Sequence, residues 1–225
     1  MPRVNKLTRS VIDYFLATMP EAKTELVYDT PFHLLVAVML SAQCTDKRVN
    51  AVTPRLFARF QTAADMAAAT AADIRPYIAS VSYPNSKSEH LAAAARMICD
   101  EFGGEVPSDV DELQRLPGVG RKTANVVASV VYGKATMPVD THVFRVAERL
   151  GLTRGSKSPL ETERKLVAAL PEEYLSIAHH WLILHGRYTC KARKPLCTEC
   201  GLRQVCRYAR SNAKTSNETT ITTAI

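Results

Sequence analysis

The sequence predicts an all-α fold, and three observations carry that prediction. Apolar residues recur at spacings of three and four, whereas sustained alternation with a period of two is missing. The stretch 34–40 is apolar on every side, which is typical of a helix buried at the centre of a bundle. Gly103 with Gly104, and later Gly133, close periodic stretches as glycines at helix ends do.

In the N-terminal half, the helices follow from this periodicity and from their start signals. One apolar face comprises Leu7, Val11, Ile12, Phe15, Leu16 and Met19. Thr30 and Pro31 start the apolar helix, since threonine caps helices and proline suits their first position. Alanine-rich stretches at 63–79 and 88–101 predict further helices.

In the C-terminal half, Ser108 with Asp111 resembles a capping box that opens the next helix. Helical patterns then run over 121–132 and, after a start at Asp140, through about residue 188. The last segment, 211–225, is rich in Thr, Ser and Asn and offers too little apolar surface to fold. We therefore predict a disordered tail there.

Composition narrows the class of protein. The 225 residues carry 29 Lys and Arg against 22 Asp and Glu, a formal net charge of +7. A basic surface favours a polyanionic partner, nucleic acid first, although the same excess could simply keep the protein soluble. The N-terminus shows no cleavable leader, and no stretch approaches the roughly 20 apolar residues of a membrane span. We therefore expect a soluble, intracellular protein.

The most informative segment runs from Leu116 to Ala124 and reads LPGVGRKTA. Its two glycines, Gly118 and Gly120, allow a tight turn whose backbone N–H groups approach an anion closely. The turn feeds a helix N-terminus, where the dipole favours negative charge, so a DNA phosphate is the natural ligand. The alternative is an ordinary glycine turn between antiparallel helices.

This segment, followed by VDTHV at 139–143, resembles the endonuclease III family of helix-hairpin-helix DNA glycosylases, which also act as lyases at abasic sites. The resemblance spans nearly the whole chain, from Ser-Ala-Gln at 41–43 to Cys206, with the motifs in the family order. It implies a bifunctional enzyme of base excision repair that acts on damaged bases or abasic sites in double-stranded DNA. Such an enzyme removes oxidised pyrimidines and cleaves 3′ to the abasic site by β-elimination through a lysine Schiff base.

The resemblance implies that Lys122 is the nucleophile and Asp140 the catalytic carboxylate. In the first turn of a helix the dipole disfavours an ammonium and helps populate the neutral amine that attacks the sugar. Asp140 would assist proton movement and stabilise positive charge as the glycosidic bond breaks. The alternatives are a solvated or phosphate-pairing lysine and a simple helix N-cap.

The resemblance also implies that Gln43 enters the gap left by an extruded nucleotide. In the second intercalating loop the family often has a leucine, whereas this chain reads VSYPNSK at 81–87, which places Tyr83 at the wedge. Stacking by tyrosine would then replace aliphatic insertion. The alternatives are a polar residue at a helix end for Gln43 and a loop-packing aromatic for Tyr83.

Four cysteines lie in one short segment with intervals of six, two and five residues: Cys190, Cys197, Cys200 and Cys206. In a reducing compartment, clustered thiols indicate a metal rather than disulfides. Four thiolates suit a 4Fe-4S cluster, and the spacing matches that of the endonuclease III cluster. Structural zinc also accepts four cysteines but usually uses two C-x2-C type pairs, and this segment has one.

Three basic residues, Lys191, Arg193 and Lys194, lie between the first two of these cysteines. A bound cluster would fix this basic loop in a shape that suits DNA phosphates. The complete set of predicted DNA contacts is Gln43, Tyr83, Gly118, Gly120, Arg121, Lys191, Arg193 and Lys194.

Family analogy implies two domains with DNA bound in the cleft between them. A six-helix domain containing the helix-hairpin-helix is expected over 24–134, and a cluster domain is expected from 1–23 together with 135–210. We expect a monomer, associated with the nucleoid in a bacterial cytoplasm.

Two other functions are consistent with parts of the pattern. Adenine-mismatch DNA glycosylases share the hairpin and the cluster, but they use a glutamate in the helix corresponding to 31–43 and lack the nucleophilic lysine. This chain has no acidic residue in that helix and does have Lys122. A non-catalytic DNA-binding or redox-sensing iron–sulfur module would need neither Lys122 nor Asp140.

Overall fold

A computed structural model describes residues 4–211 of the chain. All regular elements in that range are helical, and no strand occurs there, which confirms the all-α prediction. The α-helices are α1 (Lys6–Thr18), α2 (Pro31–Ser41), α3 (Asp46–Arg59), α4 (Ala63–Ala67), α5 (Ala71–Ile74), α6 (Pro84–Glu101), α7 (Val110–Arg115), α8 (Arg121–Tyr132), α9 (Thr141–Leu150), α10 (Pro159–Ala169) and α11 (Leu175–Tyr188). Two 3₁₀ turns cover Arg75–Tyr77 and Glu172–Tyr174.

The chain divides into two compact units. One covers Thr24–Lys134, and the other combines the segment up to Lys23 with the chain from Ala135 onward. None of the helices within 4–211 has the length and apolar character that crossing a membrane requires. Of the tail expected to be disordered, only Ser211 belongs to the described part, and it lies in a helical turn. Residues 212–225 lie outside the described residues.

The unit Thr24–Lys134 is built around α2. Every residue from Phe32 to Leu40 is buried, as predicted for a central helix, and burial of each large apolar side chain contributes roughly 1.5–3 kcal/mol. Thr30 caps this helix, because its hydroxyl accepts the backbone N–H of His33 at 3.1 Å. The central helix ends at the loop that carries Gln43, so its burial fixes the base of that loop.

The alanine-rich stretch 63–79, predicted to be helical, forms two short α-helices followed by a 3₁₀ turn. Thr70 and Asp73 form a capping box that starts α5 soon after α4 has ended at Ala67. Family analogy implied six helices within 24–134, and the structure has seven α-helices there, α2 to α8. The following helix, α6, begins at Pro84, earlier than its alanine content indicated.

The predicted cap of α7 is wrong by one residue. Asp109, not Ser108, precedes the helix, and its Oδ1 accepts the backbone N–H groups of Asp111 at 2.8 Å and Glu112 at 3.2 Å. An ionised carboxylate is at least as good an N-cap as a serine hydroxyl, and here it lies next to the first helical residue.

The second unit packs α1 against the C-terminal helices. The rings of Phe15 and Trp181 are stacked with their centroids 5.5 Å apart, and the indole Nε1–H of Trp181 donates to the Met19 carbonyl at 2.8 Å. Buried Val143 and Val146 of α9 complete the same core. These contacts explain why the N-terminal helix belongs to the C-terminal unit and not to its neighbour in sequence.

Candidate active site

The glycine turn between α7 and α8 has the conformation that the sequence predicts. Gly118 adopts φ +79, and a Cβ at this position would lie 2.8 Å from the Cβ of His90, so both the backbone and the space require glycine. Leu116 and Val119 are buried and anchor the turn. Gly120 is the N-cap of α8, and no side chain caps that helix from this position. Such an N-terminus suits a bound phosphate.

Arg121 and Lys122 are the first two residues of α8, and both are exposed. The same helix is held in the core by Ala124, Val127 and Ala128, which are fully buried. The lysine therefore stands on a rigid helix, at the end that follows the glycine turn, where a substrate has access to it.

Asp140 caps α9. Its Oδ1 accepts the backbone N–H groups of His142 at 2.9 Å and Val143 at 2.8 Å. Both bonds end on the same carboxylate oxygen, and the residue remains partly exposed. The structure therefore assigns Asp140 a capping role, which one oxygen fulfils, and that role is compatible with a second one in catalysis.

His142, whose role the sequence left unassigned, packs against α11. A Cβ added at Gly186 would lie 2.9 Å from the Cβ of His142, so the two helices are in close contact there. Arg145 lies 3.2 Å from the ring Nδ1 of His142 through its Nη2, which also donates to the Gly186 carbonyl at 2.9 Å. These contacts give His142 a place in helix packing behind the Asp140 cap.

The loops that carry Gln43 and Tyr83 meet in the structure. Both side chains are exposed, Tyr83 to 63%, and both residues have left-handed backbones, with φ +54 and +56. The Ser82 hydroxyl donates to the Gln43 carbonyl at 2.7 Å. Two residues 40 positions apart in the sequence thus lie on loops that are in contact. Gln43 and Tyr83 are called the two probes below, because both are predicted to enter DNA.

All four C-terminal cysteines line one small cavity. Burial raises the pKa of the Cys197 and Cys200 thiols, and the neighbouring cysteines of the set raise it further. Within residues 4–211, no group of three or more His, Cys, Asp or Glu side chains is placed to hold a metal ion. Burial also lowers the pKa of His185 to about 4, and its Nε2 lies 3.7 Å from the Cys200 sulfur.

Arg149 of α9 holds the loop between the first two of these cysteines. Its guanidinium donates to the carbonyls of Lys191 at 2.7 Å and Ala192 at 3.0 Å, and to the Cys190 sulfur at 3.5 Å. The three basic residues of this loop are exposed, and one of them, Lys194, has a left-handed backbone with φ +50. Arg149 therefore supports the start of this loop through the carbonyls of Lys191 and Ala192 and the sulfur of Cys190.

The predicted site residues are divided between the two units of the chain. The hairpin residues and the two probe residues belong to the unit Thr24–Lys134, whereas Asp140, the cysteines and the basic loop belong to the other unit. Sequence reasoning missed Lys87, Ser82 and Arg149. Each of them acts on a distant backbone carbonyl, and no local pattern marks such a contact.

Comparison with known proteins agrees with this geometry. Residues 36–172 match the HhH-GPD superfamily, described as base excision DNA repair proteins. Endonuclease III of Rickettsia felis is 46% identical over 92% of this chain and 96% of its own length, and that of Bacillus subtilis is 47% identical over 87% and 89%. A solved structure of a trapped covalent intermediate between endonuclease III and DNA, in an estranged-adenine complex, is 45% identical with a TM-score of 0.86. That match covers 91% of this chain and 96% of the solved one.

Proposed function

The chain belongs to the endonuclease III family, and on that premise we propose that it excises oxidised pyrimidines from duplex DNA with Lys122 as nucleophile. It is a bifunctional enzyme of base excision repair, a DNA glycosylase and AP lyase. The observation that carries the assignment of Lys122 is its place, exposed in the first turn of the helix that follows the glycine turn. The relatives are bacterial, so we place the enzyme at the bacterial nucleoid, where its substrate lies.

An amine nucleophile accounts for both activities. The neutral Nζ of Lys122 bonds to C1′ of the damaged nucleotide, and the base departs with the electron pair of the glycosidic bond. Opening of the sugar ring then leaves a Schiff base between Nζ and C1′. This cation acidifies the C2′ proton, whose removal expels the 3′ phosphate. A solvated or phosphate-pairing lysine would support neither step.

Asp140 supplies a carboxylate to this reaction. It stabilises positive charge that develops on the sugar as the base departs and assists proton movement at the lysine. Since a single oxygen caps α9, the cap and the chemistry do not compete for the same atom.

Gln43 and Tyr83, the two probes, take part in extrusion of the target base. The target base is inaccessible in stacked DNA and must leave the helix, and side chains then fill the gap. Gln43 and Tyr83 are exposed and adjacent, which supports this role, while Gly118, Gly120 and Arg121 contact the phosphates. The tyrosine ring stacks on bases more readily than an aliphatic side chain does.

The cysteine segment fits a 4Fe-4S cluster. In such a cluster each cysteine binds a different iron, so the four sulfurs must surround a cavity, and Cys190, Cys197, Cys200 and Cys206 line one. When bound, the cluster supplies a covalent anchor that fixes the loop bearing Lys191, Arg193 and Lys194 against DNA phosphates.

Metal analysis separates the cluster from zinc. We expect the protein purified without oxygen to contain about four iron and four sulfide per chain, and Cys197→Ser to lose most of both. Cys44→Ser is the matched control, since Cys44 lies in the other unit, and it should retain the wild-type content. One zinc per chain in place of iron and sulfide would contradict the assignment.

A phosphate role for Lys194 is tested by salt dependence. Lys194→Ala should weaken binding to many DNA sequences by a similar factor and reduce the slope of log affinity against log salt by about 1. Lys194→Arg keeps the charge and should restore the slope. A loss confined to particular sequences would indicate contact with bases instead.

Product analysis tests the function as a whole. On a duplex with one oxidised pyrimidine, we expect base release together with a strand break whose 3′ end carries the unsaturated aldehyde left by β-elimination. Release of the base from an unbroken strand would refute the lyase. Release of adenine opposite an oxidised guanine, with oxidised pyrimidines untouched, would favour the adenine-mismatch enzyme.

A further inference from the structure

The two probes share a backbone conformation that needs support. Among residues 4–211, three residues other than glycine have a positive φ, namely Gln43, Tyr83 and Lys194. The left-handed region costs an ordinary residue roughly 1–2 kcal/mol. Two of the three are therefore strained at the positions proposed to enter DNA, and other contacts must keep them there.

Lys87 provides such contacts from the first turns of α6. Its ammonium donates to the carbonyls of Leu40 at 2.7 Å and Ala42 at 2.8 Å, at the end of α2 and just before Gln43. The last carbonyls of a helix lack partners within the helix, and a cation there also complements the helix dipole. Ser82, on the other side of Tyr83, donates to the carbonyl of Gln43 itself.

The burial of Lys87 is unusual. The side chain is only 8% exposed, although lysine is among the residues least often buried, and it contacts carbonyls rather than a carboxylate. Burial lowers its pKa, so the buried charge has a cost that a surface lysine avoids. The compensation is a pair of short charged hydrogen bonds that link α6 to the C-terminal end of α2, two elements that are far apart in sequence.

We propose that Lys87 is a positioning residue that, together with Ser82, fastens the Gln43 loop to the start of α6. Held together by these contacts, the two loops insert Gln43 and Tyr83 into DNA as one unit. Without these contacts, the Gln43 loop must become ordered each time the enzyme binds DNA. The entropic cost of that ordering weakens binding. This inference rests on the proposed function, since it assumes that the two side chains replace an extruded nucleotide.

Arg96 provides a matched control on the same helix. It donates through Nε to the Ala67 carbonyl at 3.2 Å and through Nη2 to the Ala69 carbonyl at 2.9 Å. The contact is of the same kind, a cation on carbonyls that follow a helix, but it lies nine residues further along α6, roughly 13 Å away along the axis. Because Arg96 is exposed whereas Lys87 is buried, Arg96→Met should weaken the fold less than Lys87→Met does, and it should leave Gln43 and Tyr83 in place.

The experiment compares two abasic-site substrates in single-turnover borohydride trapping. In one the site lies in a fully paired duplex, and in the other it lies in a bubble whose neighbouring bases are already unstacked. We expect Lys87→Met to trap about tenfold more slowly on the duplex and at nearly the wild-type rate in the bubble. Ser82→Ala should show about a threefold loss on the duplex alone, and Arg96→Met should match wild type on both.

A second readout does not depend on the chemistry. With 2-aminopurine opposite the abasic site, binding of wild type should raise the fluorescence as the probes unstack that base, and Lys87→Met should lose most of the rise. Equal slowing on duplex and bubble, or a full fluorescence rise in both Lys87→Met and Ser82→Ala, would overturn the positioning role. Absence of any trapped adduct with wild type, despite a fluorescence rise that depends on Lys87, would instead refute the proposed chemistry. If Lys87→Met fails to fold, Ser82→Ala alone decides between these results.

Discussion

Lys122→Ala should abolish the borohydride-trapped adduct with abasic DNA and lower the lyase rate by at least about a thousandfold, because no other group replaces the amine. Lys122 is exposed, so the free energy of unfolding should change by no more than about 0.5 kcal/mol. Binding to undamaged duplex should fall only modestly, since the glycine turn and Arg121 remain. Single-turnover gel assays and thermal denaturation measure these effects.

Arg121→Ala is the matched control for that substitution. It removes a charge at the adjacent position of the same helix turn, so it should weaken DNA binding and still allow the adduct to form. An adduct that survives in Lys122→Ala and disappears in Arg121→Ala would reverse the assignment.

Asp140→Asn should separate catalysis from helix capping. Asparagine caps helices as well as aspartate does, so the unfolding free energy should stay near that of wild type. The loss of the carboxylate should slow single-turnover base release by roughly 10² to 10⁴. Asp140→Ala should show the same catalytic loss and a further loss of about 1 kcal/mol in stability, because two backbone N–H groups lose their acceptor.

The comparison of these two variants decides the role of Asp140. Full activity in Asp140→Asn, together with a destabilised Asp140→Ala, would leave Asp140 as a cap without a catalytic function. Chemical denaturation and base-release kinetics on the same preparations distinguish the two results.

Local signals predicted much of the fold. Thr30 with Pro31 marked the start of α2 and Gly133 marked the end of α8, because caps and glycine ends depend on neighbouring residues alone. Local signals were misleading at two other helix starts. Asp109 takes the place expected for Ser108, and Thr70 divides a stretch whose alanine content favours one helix.

The residues that support the site could not be predicted in this way. Lys87 reaches carbonyls 45 and 47 residues away, and Arg149 reaches others 42 and 43 residues away, so their partners follow only from tertiary packing. The left-handed backbones of Gln43 and Tyr83 also lack a sequence signal, since glycine is the residue that marks this conformation. The motifs therefore predict the candidate catalytic residues, whereas the residues that support them could be found only in the structure.

Peptide mapping of the borohydride-reduced adduct tests most directly which atom bonds to the sugar. After digestion of protein and DNA, mass spectrometry should find the deoxyribose remnant on the peptide that contains Lys122, attached through its side-chain nitrogen. A remnant on another lysine, or on the N-terminal amine, would contradict the assignment of Lys122 as nucleophile.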